Sequence, residues 1–190
     1  MPSLNSFFQF KAPTPVLTER AFAELLEQQQ RPLLGTALRL VGNLEEAKDL
    51  AQIAFIKLWQ HRQRLQTERP AHFYLRRILV NLCIDHLRRK GKHGPALEFE
   101  EEFFIPASSN PQQQLEAKET QTRLWQCLNA LPSKQKAALL LREVEGHTVA
   151  ETAELLSCSQ NTVLVNLHLA RKKVKEKMQQ WLLATEQSSS

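Results

Sequence analysis

A chain of 190 residues with 42% hydrophobic residues and a net charge of +5 can fold as one compact domain or two small ones. Its three cysteines, Cys83, Cys127 and Cys158, show no disulfide pattern, and their odd number fits a reducing cytosol. No apolar run approaches the length of a bilayer and the N-terminus lacks the signature of a signal peptide, so the expected setting is soluble and cytoplasmic, with no membrane insertion.

The charge is unevenly spread, at +7 over residues 1–93, −4 over 94–115 and +2 over 116–190. Residues 1–17, with Pro2, Pro13, Pro15 and a cluster of phenylalanines, read as a loose arm. Thr18 suits the cap of a helix from Glu19 to about Gln30. Pro32 fits the first turn of a second helix reaching about Val41, and Gly42-Asn43 breaks it. Asn43 then caps a helix over Leu44–Arg64, where Leu50, Ile53, Ala54, Ile56 and Leu58 recur in helical phase. Pro70 forces a loop before a long helix over Ala71–Lys90, which Gly91 ends after three cations.

Residues 94–114 form the acidic linker, with Gly94, Pro95, Pro106, Pro111 and the run Glu98-Phe99-Glu100-Glu101-Glu102-Phe103-Phe104. Helices follow over Leu115–Ala130 and from Pro132 to about Val144, where Gly146 marks the stop. Ala150–Leu156 makes a short helix, Ser157-Cys158-Ser159 a turn, and Gln160 opens a longer helix capped by Ser159. Val163, Leu167, Ala170 and Val174 form its inward stripe, and Arg171-Lys172-Lys173-Val174-Lys175 supplies cations for phosphate. A second helix held across a short turn is the shape that enters a major groove. The fold class is all-α: two small helical domains joined by a flexible acidic linker, the second with a helix-turn-helix.

Three blocks in order carry a family resemblance. Asp49-Leu50-Ala51-Gln52-Ile53-Ala54-Phe55-Ile56-Lys57-Leu58-Trp59 resembles the polymerase-binding helix of the extracytoplasmic-function bacterial sigma factors. Phe73 through Arg89 resembles their −10-element helix, and Leu131 through Lys177 their −35-reading domain, including Leu140-Leu141-Arg142-Glu143-Val144-Glu145-Gly146. The resemblance implies an arm at 1–17, a first sigma domain at 18–93, the linker at 94–114, a second sigma domain at 115–180 and a tail at 181–190. It implies core RNA polymerase and promoter DNA as partners, with an anti-sigma factor as a further candidate. No catalytic residue, cofactor or metal is expected. Cys83 and His86 share a helix face, but no second pair stands at ligand spacing.

By that resemblance Asp49, Leu50, Gln52, Phe55 and Trp59 meet polymerase, although from the helix alone Phe55 and Trp59 read as core, a preference the resemblance reverses for part of this face only. Tyr74, Arg76, Arg77, Asn81, Arg88 and Arg89 meet the −10 strand, an aromatic face with cations being what unpaired bases and phosphates require. Asp85 reads as the residue that orients Arg88 or Arg89. The resemblance also assigns Leu65–Ala71 to a flipped base and the acidic linker to the polymerase channel. The −35 contacts fall to Gln160, Asn161, Thr162, Asn166, His168, Arg171 and Lys172.

Four departures qualify the match. Ile53 stands where the family has Glu, Tyr74 where it has Trp, and Ser157 where Gly is common, a change tolerable if that residue avoids positive φ. The recognition helix departs furthest, with Leu164, Val165, Asn166 and Leu169 in place of cationic and polar residues. Its reading would be weak or thymine-rich, or its face would dock a protein. Two other functions compete: a stand-alone helix-turn-helix regulator, and a degenerate sigma-like protein that binds polymerase or an anti-sigma factor without reading promoters.

Overall fold

A threonine hydroxyl starts the first helix. Thr18 Oγ1 accepts from Ala21 N at 3.2 Å, and α1 then runs unbroken over Glu19–Val41. The computed structural model describes residues 17–65, 69–91 and 111–188; the arm at 1–16, most of the acidic linker and residues 66–68 of the proposed base-holding loop lie outside them. Pro32 sits inside α1, which corrects the expectation of two helices divided there. Glu, Ala, Leu and Gln before it are good helix formers, and Phe22 and Leu25 reach the core's edge, so the helix continues past the missing N–H. Only from Leu33 onward does α1 bury a stripe, through Ala37, Leu40 and Val41. Gly42, left-handed at φ 77°, ends it.

Asn43 caps α2, Leu44–Gln60, by accepting from Glu46 N at 3.0 Å. The helix tightens into a 3₁₀ turn at Arg62–Arg64 rather than staying α-helical to Arg64. Helix α3 spans Ala71–Lys90 as expected, between Pro70 and a left-handed Gly91. Helix α4, Pro111–Asn129, starts four residues earlier than predicted, with Pro111 in the first helical position where its lack of an N–H costs nothing. Helix α5, Ser133–Leu139, runs into a π turn over Leu140–Val144, closed by Glu145 N donating to Leu140 O at 3.1 Å.

A capping box between Thr148 and Glu151 opens α6, Val149–Leu155. Ser159 caps α7 by accepting from Thr162 N at 3.1 Å. Helix α7 covers Gln160–Ser188, so the residues expected as a tail from 181 extend it. Among the described residues there is no strand and no helix long and apolar enough to cross a membrane.

Helices α1 to α3 pack on one another, and α7 gathers α4, α5 and α6. The two groups also meet, because α3 packs against α5 and α6. One apolar cluster runs through both, from Leu40 and Leu79 to Leu141 and Leu155.

Candidate nucleic-acid interface

Helix α2 presents its outer face at Asp49, Gln52, Ile53, Ile56 and Lys57, all exposed. Of the residues expected to meet a protein partner, Asp49 and Gln52 are on that face. Leu50 and Phe55 are buried in the core, because they share the stripe of Ala47, Ala51, Ala54 and Leu58. Trp59 is half-buried, with the Phe22 ring 4.9 Å away and the Arg62 guanidinium 3.9 Å over its own ring. Ile53 and Ile56, at 39% and 55% exposure, are the apolar groups this face offers, and the helical phase that buries Phe55 turns Ile56 outward.

On α3 the cationic candidates divide. Arg88 and Arg89 lie exposed at the free end, where Asp85 takes Arg88 Nη2 at 2.5 Å and its carbonyl accepts from Arg89 Nε at 3.3 Å, the orienting role expected of it. Tyr74 is half-buried beside the core. The other three point at the second helical group. Arg77 Nε donates to Ser157 Oγ at 3.2 Å, Asn81 Nδ2 to Leu155 O at 3.3 Å, and Arg76 Nη1 to Glu145 Oε2 at 3.1 Å.

Glu145 is the centre of that contact. Its Oε1 also accepts from Thr36 Oγ1 at 2.6 Å and Arg39 Nη2 at 2.9 Å, and its side chain is only 7% exposed. Burial alone would raise its carboxyl. The His147 ring, the Thr36 hydroxyl, the Arg39 guanidinium and the Arg76 charge outweigh it and hold the carboxyl at about 2. The π turn sets its place: five residues in one turn rotate the chain end toward α1 and α3, and Gly146 at φ 74° then leads it away.

Lys136 makes a second buried tie. Its Nζ donates to Leu40 O at 2.6 Å and Asn129 Oδ1 at 2.8 Å, a cation against the carbonyl end of α1. Burial pushes it down to about 8, and pushes the neighbouring Cys83 thiol up to about 12. At the rim Arg69 forks onto Glu154, at 3.2 and 2.6 Å.

Helix α7 buries Val163, Leu167 and Ala170, and leaves Leu164 and Val165 each 51% exposed with Leu169 beside them. Gln160, Asn161 and His168 are free to reach outward. Thr162 Oγ1 is shared with the Ser159 hydroxyl at 2.8 Å, and Asn166 Nδ2 donates to Thr162 O at 2.9 Å, so both are partly spent on their own helix. Arg171 pairs with Glu143 at 2.5 Å, and Lys172 lies 3.9 Å from Glu176. Arg142, His168, Arg171, Lys172 and Lys175 line an open groove of about 500 Å³ with Leu164, matching a strand of phosphates better than a small molecule. Ser157 takes φ 51°, so the condition for its harmless replacement of Gly is not met. Among the described residues no three His, Cys, Asp or Glu side chains gather as a metal site. Cys83 is core, and His86 Nε2 instead lies 2.9 Å from Glu46 Oε2.

The interdomain residues Thr36, Arg39, Lys136 and His147 were not among the expected site residues. One signal was present: Arg76 occupies the helical stripe of Phe73, Val80 and Cys83, the phase of a buried position.

Comparison with known proteins matches two family models, Sigma-70 region 2 over residues 25–93 and Sigma-70 region 4 over residues 121–174. The RNA polymerase sigma-E factor of Streptomyces coelicolor is 30% identical over 158 residues, covering 83% of this chain and 85% of that protein. The ECF RNA polymerase sigma factor SigE of Mycolicibacterium smegmatis is 30% identical over 169 residues, covering 87% and 65%. Among solved structures, the sigma factor RpoE of Bartonella quintana, in complex with the anti-sigma factor NepR, superposes with a TM-score of 0.62 at 20% identity, over 84% of this chain and 98% of that one.

Proposed function

The chain belongs to the sigma-70 family, in its extracytoplasmic-function class, and from that premise we propose how its surfaces divide the work of a sigma factor. It binds core RNA polymerase and directs promoter-specific initiation. The exposed α2 face, with Asp49, Gln52 and Trp59 joined by Ile53 and Ile56, takes polymerase; Leu50 and Phe55 hold that face in shape from beneath. Helix α3 takes the −10 strand, with Arg76, Arg77, Arg88 and Arg89 on phosphates, Asn81 on base edges and Tyr74 as the stacking surface. Helix α7 lies in the −35 groove, with Gln160, Asn161 and His168 reading base edges, Arg171 and Lys172 on phosphate, and Thr162 and Asn166 in lesser parts. The domains follow the same division, residues 18–93 and 115–180 flanking the linker at 94–114.

The bond chemistry is the polymerase's; this chain positions and melts DNA, in the cytoplasm, with no covalent step of its own. The observation that carries the reading is the order of the two family regions, falling on α1–α3 and on α4–α7. Run-off transcription on sheared genomic DNA, with purified bacterial core polymerase, tests it. Discrete new start sites sharing an upstream motif are expected; failure to bind core at all would return the protein to the class of stand-alone regulators.

A second reading is supported by Leu164, Val165 and Leu169. An apolar outer face on the recognition helix suits a protein partner, such as an anti-sigma factor, as well as thymine methyls. Binding to core without new transcripts would favour that reading.

A further inference from the structure

We propose that α7 reads a −35 element made of A·T pairs, with Val165 on thymine methyl groups and Asn161 on adenine. The inference deepens the proposed function and rests on the reading of α7 as the −35 helix.

The outward face of α7 follows from its inward one. Val163, Leu167 and Ala170 are buried, and Val174 packs against the same core. In the opposite helical phase, at the same spacing, stand Asn161, Val165, His168 and Lys172, all exposed. The N-terminal turns of a recognition helix are the part that reaches base edges. Lys172 lies about 18 Å along the axis from Gln160, so it and Arg171 serve phosphates. Base reading therefore falls to the stretch from Gln160 to Ala170.

The chemistry of that stretch is selective. Guanine is read by arginine or lysine, and cytosine by a carboxylate accepting from its amino group. No Arg, Lys, Asp or Glu stands between Gln160 and Ala170. The Thr162 hydroxyl is paired with Ser159 at 2.8 Å, and Asn166 donates to Thr162 O at 2.9 Å, so both are partly spent on the helix. His168 lines the cationic groove beside Leu164. At the front remain the amides of Gln160 and Asn161, which match the two hydrogen-bonding atoms of adenine, and Val165, 51% exposed. Leu164 and Leu169 flank it, at 51% and 38% exposure. The apolar group a major groove offers such side chains is the thymine methyl. A protein-docking face would be a contiguous apolar surface, and Asn161 and His168 interrupt this one. A row of A·T pairs interleaves methyls with hydrogen-bonding edges in the same way.

The test uses core polymerase carrying this chain to enrich duplexes from a random library, with the enriched motifs read by sequencing. Upstream of the −10 motif, A·T positions with runs of thymine are expected, and no enriched G·C position. The enriched duplex is then remade with deoxyuridine for thymine in the upstream motif, which deletes the methyls. Wild-type holoenzyme should bind it about fourfold more weakly for each methyl contacted. The penalty should vanish with Val165→Ala, a change at an exposed helical position that alanine suits. Asn161→Ala should erase the preference for adenine at one position, whereas Lys172→Ala should weaken every duplex alike. Enriched G·C positions, or a uracil penalty undiminished in Val165→Ala, overturn the proposal and leave the −35 assignment standing. New transcripts with no upstream motif remove that assignment as well, and give the face to a protein partner.

Discussion

Ser157 occupies a left-handed backbone position that glycine fills without strain, at a cost of about 1 kcal/mol for an L-residue. Ser157→Gly should raise stability by up to about that amount, less glycine's added unfolded-state freedom, as a shifted urea midpoint. It would also delete the hydroxyl that accepts from Arg77. Glu145 makes a different prediction. Its folded carboxyl titrates near 2 against an ordinary 4.5, so its contribution is complete above pH 4.5 and is lost as pH falls toward 2. The shift corresponds to about 3 kcal/mol, and Glu145→Gln should flatten that acid limb in urea titrations from pH 7 to 3. Neither role was legible in the residue itself. Glu145 could be quoted only as part of a family block, and its partner Arg76 reads from composition as one more DNA cation.

Helix ends were readable where two signals agreed. Pro70 and Gly91 bracket α3 because one residue excludes helical geometry before the start and the other admits left-handed geometry after the end. Pro32 misled because proline at a first turn and proline tolerated inside a helix look alike in sequence; packing decides between them. Its cost remains, since Gln28 O lacks the α-helical donor residue 32 would supply. Pro32→Ala should stabilise the protein by about 1–3 kcal/mol, seen as a higher thermal midpoint; no gain would mean the first turns of α1 contribute nothing. The box from Thr148 to Glu151 begins α6 one residue before the expected Ala150. On α7 the inward stripe was legible through its period, and with it the outward Leu164 and Val165. Asn166→Arg, which removes the bond to Thr162 O and adds a cation to that face, should tighten duplex promoter binding by the holoenzyme; no change would count against a DNA role for that face.

At the scale of the whole molecule, what the sequence could not convey is that the two helical groups share a core. Apolar periodicity tells which face of a helix is buried, never against which distant helix. Lys136 illustrates the gap, being a lysine on the buried side of α5 whose acceptor, Leu40 O, belongs to the other group. Its lowered value means the fold gains stability as pH rises from about 8, until ionisation of the unfolded Cys83 thiol, near 9, begins to oppose it. Lys136→Met should abolish the rise between pH 8 and 9 in urea midpoints, while the acid limb owed to Glu145 stays.

The packing of α3 against α5 and α6 has one more consequence, because both surfaces belong to a single chain. The two surfaces therefore face each other at a fixed effective concentration, and their contact does not loosen on dilution as one between separate chains would.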